Sequence, residues 1–230
     1  MLNRYRDKLS QKRRLIDVRI IRVRRYLLPS NSKRGLKVIG CGRSGTTYTA
    51  KVFQEFGVDI GHERLMSDGI ASWYLGSDQE KVPFGPSARD LAWLDVGVVH
   101  QVREPLSAIS SCLAIGKISR EFLANETPFL RNLNTRLEFA MRYWLYWNQK
   151  CEEIASFTYQ VERLDVHLRD ILAVGKIQAK ESPALALPKN VNSRAHEKVT
   201  WDNLFDEDPV LAQEVHDLGK HYGYSEDSAG

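Results

Sequence analysis

The chain has 230 residues, 43% of them hydrophobic, enough to bury one sizeable core in a single folded body. Its formal charge of +4 hides an asymmetry: residues 1–37 hold 13 Lys and Arg against Asp7 and Asp17, while the remainder holds 20 basic and 27 acidic residues, a net −7. Three cysteines, Cys41, Cys112 and Cys151, form no CxxC pair, which argues against a disulfide framework or a zinc site and fits a reducing compartment. With no apolar run of about eighteen residues and no signal-like apolar region, neither a membrane span nor secretion is expected, and the location expected is cytoplasmic.

Within the basic stretch Leu2, Leu9, Ile16 and Val23 recur every seven residues, and Ile20 and Leu27 fill the adjacent row. A helix there carries an apolar stripe flanked by arginines. Such a helix suits the surface of an anionic membrane, giving a peripheral location; contact with the acidic body or with a second subunit is the stronger expectation, and no nucleic-acid partner is expected. Pro29, Asn31 and Gly35 mark a linker, so the chain divides into a basic helix and linker, 1–35, and a single α/β domain, 36–230.

The stretch VIGCGRSGTTYTAKVFQEFG, residues 38–57, joins a β-branched run to a glycine-rich turn and then to a helical pattern. A helix beginning there, at about 45–56, exposes unpaired N–H groups and the positive end of its dipole, where a phosphate or sulfate fits. Arg43 and the hydroxyls of Ser44, Thr46 and Thr47 add charge and donors. A Walker A loop needs a lysine directly before its Ser/Thr, and Gly45-Thr46-Thr47 has none.

Farther on, VDIGHE reads as a short strand, 68–76 as a helix and 95–102 as a strand ending at Arg103, with a helix opening at Glu104-Pro105, where proline's missing N–H costs nothing. Residues 131–155 place Leu133, Leu137, Met141, Trp144, Cys151 and Ile154 near one face of a long core helix, and its aromatics read as packing. A strand near 156–161, a helix near 164–173 and a final helix near 208–221 follow. The alternation predicts a three-layer α/β fold with a mostly parallel central sheet, a P-loop after its first strand, and ligands at the strands' C-terminal ends.

The segment from Arg43 through Ser44, Gly45, Thr46 and Thr47 to Tyr48 resembles the 5'-phosphosulfate loop of the PAPS-dependent sulfotransferases. The resemblance implies 3'-phosphoadenosine 5'-phosphosulfate, PAPS, as co-substrate, and no metal. In that family a second segment binds the 3'-phosphate through an arginine closing a strand and a serine eight residues on; here these are Arg103 and Ser111. The segment FTYQVERL resembles the family's Tyr-x-x-Glu-x-Leu strand near the adenine, which implies a nucleotide contact for Tyr159, although a core aromatic is an equal reading. VNSRAHEKVTWDNL, 191–204, resembles the mobile loop that closes over the nucleotide, with Arg194 as its basic residue.

Transfer of a sulfuryl group to a hydroxyl or amine requires a base. His62 and Glu63 follow the second strand and emerge at the same sheet edge as the loop; either side chain can serve, and Glu63 is placed ahead of His62. Asp68 is a weaker candidate, and so is His100, which reads as a core residue. The resemblance implies in-line transfer to a carbohydrate or small-molecule acceptor, with Arg43 stabilising the departing phosphate. The loops at 62–90 and 114–130 are expected to build the acceptor pocket. A P-loop small-molecule kinase and a non-catalytic nucleotide-binding protein remain as alternatives.

Overall fold

The computed structural model describes residues 16–25, 27, 34–178 and 198–225. Among them, β1 (Leu36–Gly40), β2 (Ile60–His62), β3 (Gly69–Ala71), β4 (Gly97–Val102) and β5 (Phe157–Gln160) form one sheet in the order β2-β3-β1-β4-β5, and every pairing is parallel. The helices are α1 (Thr46–Glu55), α2 (Pro105–Cys112), α3 (Lys117–Glu126), α4 (Arg136–Ile154), α5 (Leu164–Val174), α6 (Trp201–Glu207) and α7 (Pro209–His221), preceded by a helical stretch at 16–25. None of the described helices is long and apolar enough to cross a membrane.

The sheet is the middle of three layers. Leu36 and Val38 of β1 face a core shared with Val52 and Phe53 of α1 and Ile171 of α5, while Ile39 faces a larger core built on Met141, Trp144 and Trp147 of α4. That period-two division is what a strand covered on both sides requires. β1 lies at the centre, and the chain leaves it first toward β3 and β2 and later returns on its other side as β4. The C-terminal ends of β1 and β4 therefore flank the point where the winding direction switches, the place where open parallel sheets bind ligands.

Several elements differ from the sequence reading. Residues 68–76 are not a helix: Gly69–Ala71 is a strand and Trp73–Gly76 a short 3₁₀ turn. Gly69 has a φ of +146°, and a Cβ there would collide with the Leu36 carbonyl, so close strand pairing rather than side-chain periodicity decides this segment. The long helix begins at Arg136 rather than 131 because the Thr135 hydroxyl accepts the Glu138 N–H at 3.0 Å, and Ile154 at its end is exposed. Lys117–Glu126 is an additional helix. Trp201–Glu207 is helical where a loop was expected, started by a capping box between Thr200 and Asn203.

The N-terminal stretch contacts the body through Val18 and Ile21, not through the apolar stripe anticipated from its seven-residue spacing; Ile16, Ile20, Val23 and Leu27 face outward. Asp68 lies away from the β1–α1 loop, at the opposite edge of the sheet. It precedes β3 at the N-terminal edge of the sheet, where it accepts the Asp59 N–H at 2.9 Å and pairs with Arg34 at 3.6 Å.

His100 in β4 is fully buried, with Nδ1 at 3.3 Å from Thr158 Oγ1 and Nε2 at 3.2 Å from Asn148 Oδ1. Burial lowers its pKa to about 4, against the partial compensation of Asn148 and Glu152. Above about pH 6.5 the group is neutral in both the native and the unfolded chain. As pH falls from 6.5 toward 4 the unfolded chain gains a proton that the native chain refuses, so stability is lost across that window and the loss levels off below it. A His100→Gln variant should show a smaller loss over this range, by up to about 3 kcal/mol, when urea-denaturation midpoints of the two proteins are compared as a function of pH.

Candidate active site

The connection from β1 to α1 is a cradle with little freedom. Gly45, with φ at 95°, is the N-cap of α1 and no side chain caps the helix. The first helical bond runs from the Thr49 N–H to the Gly45 carbonyl at 3.0 Å, which leaves the N–H groups of Thr46, Thr47 and Tyr48 without an intrahelical acceptor. Together with the helix dipole they form an anion-binding end.

Buried side chains brace this turn from below. Gln101 of β4 donates from Nε2 to the Ser44 carbonyl at 2.6 Å, while its Oε1 accepts from Tyr159 Oη at 2.7 Å and from the Thr49 hydroxyl. Tyr143 of α4 accepts the Gly42 N–H at 2.7 Å, and a Cβ at Gly42 would press on that same hydroxyl. Ser44 is buried, and its hydroxyl donates to the Cys41 carbonyl at 2.6 Å, so this side chain braces the loop rather than facing a ligand. Tyr159 likewise lies in the core beneath the loop, in keeping with the core-aromatic reading, one of the two that the sequence left open. Thr46 is buried, and Thr47 and Tyr48 are half-buried at the helix start.

The second segment meets the first. Arg103 follows β4, Glu104 caps α2 by accepting the N–H groups of Leu106 and Ser107 at 2.9 and 2.6 Å, and Pro105 is the first helical residue. Arg103 Nη1 donates to the Arg43 carbonyl at 3.1 Å, and Arg43 Nε donates to Ser111 Oγ at 2.8 Å. Glu162 accepts the Glu104 N–H at 3.0 Å and the Tyr224 hydroxyl at 2.8 Å, so the third segment holds the second in place. Arg194 lies outside the described residues. The described chain resumes close by, where the Val199 N–H donates to Ser110 Oγ at 2.9 Å.

Beside the loop is a cavity of about 490 Å³ lined by Gly42, Arg43, Glu63, Trp73, Tyr74, Phe84, Ser119 and Tyr143, with the backbone turn at 114–116 on one side. Segments from both 62–90 and 114–130 thus contribute to its walls. Arg43 and Glu63 are two of four described non-glycine residues with positive φ, at 74° and 51°. Such backbone costs on the order of 1 kcal/mol or more and persists where neighbours over-determine it. Here the neighbours are Arg103 on the Arg43 carbonyl, and Ala71, whose carbonyl accepts the Glu63 N–H at 3.0 Å. His62 ends β2 opposite Ala71 and does not line the cavity. Gln101 and Tyr143 escape sequence reasoning as site residues, since each lies in a pattern that packing alone explains; Glu162 stands in the Tyr-x-x-Glu-x-Leu segment, but its bond to the Glu104 N–H is visible only in the structure.

The chain matches no family model and no curated protein. Its structure is similar to that of mouse sulfotransferase SULT7A1 complexed with PAP, with 13% sequence identity and a TM-score of 0.36 over 86% of this chain. The aligned region spans 66% of that chain's length.

Replacing Gln101 by Leu keeps the bulk but strands the Ser44 carbonyl and the Thr49 and Tyr159 hydroxyls, all of them buried. The expected loss of unfolding free energy is about 2 kcal/mol or more, against about 1 kcal/mol for Tyr159→Phe, measured by urea denaturation.

Proposed function

We propose that this chain is a sulfotransferase that binds PAPS at the β1–α1 loop and transfers its sulfuryl group to a hydroxyl or amine of an acceptor in the adjoining cavity. The observation that carries the reading is the meeting of Arg43, Arg103 and Ser111, brought from two segments some 60 residues apart to hydrogen-bonding distance at the switch point of the sheet. Two guanidinium groups beside a row of unpaired amides suit a ligand with phosphates at two positions. When bound there, the nucleotide supplies a sulfuryl group attached to a stable leaving phosphate.

The residues divide the work. The amides of Thr46, Thr47 and Tyr48 and the Arg43 guanidinium hold the 5' end, where negative charge builds as the bond to sulfur breaks; fixed donors aimed at that charge lower the barrier. Arg103 and Ser111 hold the 3'-phosphate. Glu63, which lines the same cavity as Gly42 and Arg43 of the loop, takes the proton of the acceptor hydroxyl or amine, and the rings of Trp73, Tyr74 and Phe84 shield the space from water. A kinase reading lacks a lysine directly before Thr47, where Thr46 stands and where a Walker loop places the residue that reaches the phosphates.

Calorimetric titration with 3'-phosphoadenosine 5'-phosphate, AMP and ATP-Mg tests the assignment. Arg103→Ala should weaken the first ligand by tenfold or more and Ser111→Ala by less, because a charge-assisted contact is worth roughly 1.5 to 3 kcal/mol and a neutral one roughly 0.5 to 1.5. AMP binding should scarcely change in either variant. Equal loss of both ligands, or tighter binding of ATP-Mg by the parent, would count against the reading.

With an acceptor found by labelled-sulfate transfer, Arg43→Ala should lower kcat by roughly a hundredfold or more, the scale of a lost transition-state donor. Glu63→Gln should lower kcat by about a hundredfold and remove the acid limb of the pH–rate profile. Full activity in both variants would place the chemistry elsewhere.

A further inference from the structure

The helical stretch at 16–25 has two occupied sides and one open face. Val18 and Ile21 enter the core, Arg25 Nη2 donates to the Ser67 carbonyl at 2.8 Å, Asp17 pairs with Arg64 at 2.9 Å, and the Arg22 guanidinium lies over the Trp93 ring at 5.7 Å. The opposite face is a row of four large aliphatic side chains, Ile16, Ile20, Val23 and Leu27, which are 53%, 48%, 59% and 69% exposed. At 100° per residue this row is centred with Arg19 about 70° to one side and Arg24 about 70° to the other, and both arginines are exposed.

We propose that this face seats on an anionic lipid bilayer, the aliphatic row entering the boundary between headgroups and acyl chains and Arg19 and Arg24 meeting lipid phosphates. A row of aliphatics edged by long cationic side chains satisfies both parts of that boundary at once, since arginine stems lie along apolar surface while their heads stay at phosphate level. The helix is held in place by its inner face, so the outer face is presented ready ordered.

Charge decides against the other occupants. A second copy related by a two-fold axis would bring Arg19 and Arg24 against the same residues, and Asp17, the acid on this stretch, is already paired with Arg64. A nucleic acid would be met by the arginines, but the aliphatic row would stand between them and gain nothing from a phosphate backbone. The sequence of residues 1–15 adds Arg4, Arg6, Lys8, Lys12, Arg13 and Arg14, whereas the chain beyond residue 37 is net −7. An anionic surface therefore attracts this end of the protein and repels the rest, which sets one orientation. No residue of the stretch lines the candidate active-site cavity, so seating leaves that cavity unobstructed by the helix.

Flotation of the full chain with phosphatidylcholine vesicles, with and without phosphatidylserine, tests the proposal. Binding is expected to the phosphatidylserine vesicles, with partitioning at least about tenfold weaker to phosphatidylcholine alone. A Val23→Ser/Leu27→Ser double variant, at the two most exposed positions of the row, should lose about tenfold or more while keeping the parent's thermal melting curve, and Arg19→Gln/Arg24→Gln should lose a comparable amount. Absence of binding to phosphatidylserine vesicles overturns the proposal. So does a serine variant that floats like the parent, because the attraction would then be that of the basic sequence alone. A dimer in sedimentation that the serine variant abolishes, or retention of duplex DNA that competes with the vesicles, would give the face to another occupant.

Discussion

The C-terminal edge of the sheet depends on one amide side chain. Gln101 is buried near the C-terminal end of β4, between His100 and Val102, and it makes three hydrogen bonds: to the Ser44 carbonyl within the loop, to Thr49 on the helix after the loop, and to Tyr159 on the next strand. In a low-dielectric interior such a group is stabilising only when fully matched, and each partner is equally costly to leave alone. The loop, the first helix and the fifth strand are thereby held to one another's positions. The uncapped amides of α1 can then be aimed at a fixed point without any side chain of their own.

Around this anchor the molecule concentrates its strain and its charge. Arg43 and Glu63 both adopt left-handed backbone that no glycine relieves, and both line the same cavity. The left-handed turn at Arg43 directs its side chain toward α2 and its carbonyl toward Arg103, so the strained geometry is what joins the two basic segments. Gly85, whose Cβ would run into the Glu63 carbonyl, shows how closely the segment at 77–96 approaches the other side. Both strained residues are held by protein groups, Arg103 on the Arg43 carbonyl and the Ala71 carbonyl on the Glu63 N–H, so the conformation is set without a ligand.

The cavity walls unite two functions that are easily taken for one. Trp73 lies 6.2 Å from Tyr143 and 5.4 Å from Trp147, ring to ring, so the aromatic cluster is continuous with the core. Trp73 and Tyr143 also line the cavity, and Tyr143 holds the Gly42 N–H besides. A core residue and a site residue are here the same residue, because the site is the place where the core meets the loop.

Read by itself, the sequence determined the elements whose signals are local. The β-branched run before three glycines, the proline two residues past Arg103, and the helical spacing of the long aromatic segment specify strand, turn and helix by short-range sterics, and their alternation specifies a parallel α/β sheet. Arg43 is legible from its place in the glycine-rich turn, whereas Arg103 and Ser111 are legible only through the family resemblance of their segment. Tertiary structure alone decided that Gly69–Ala71 is a strand, because a three-residue strand owes its form to the neighbours it joins rather than to its own propensity. It also decided that Tyr159 lies in the core bonded to Gln101, that Glu63 and not His62 lines the cavity, and that the described part of the seven-residue stripe of the N-terminal helix points outward. Periodicity tells which residues share a face; only the packing of distant segments tells what that face meets.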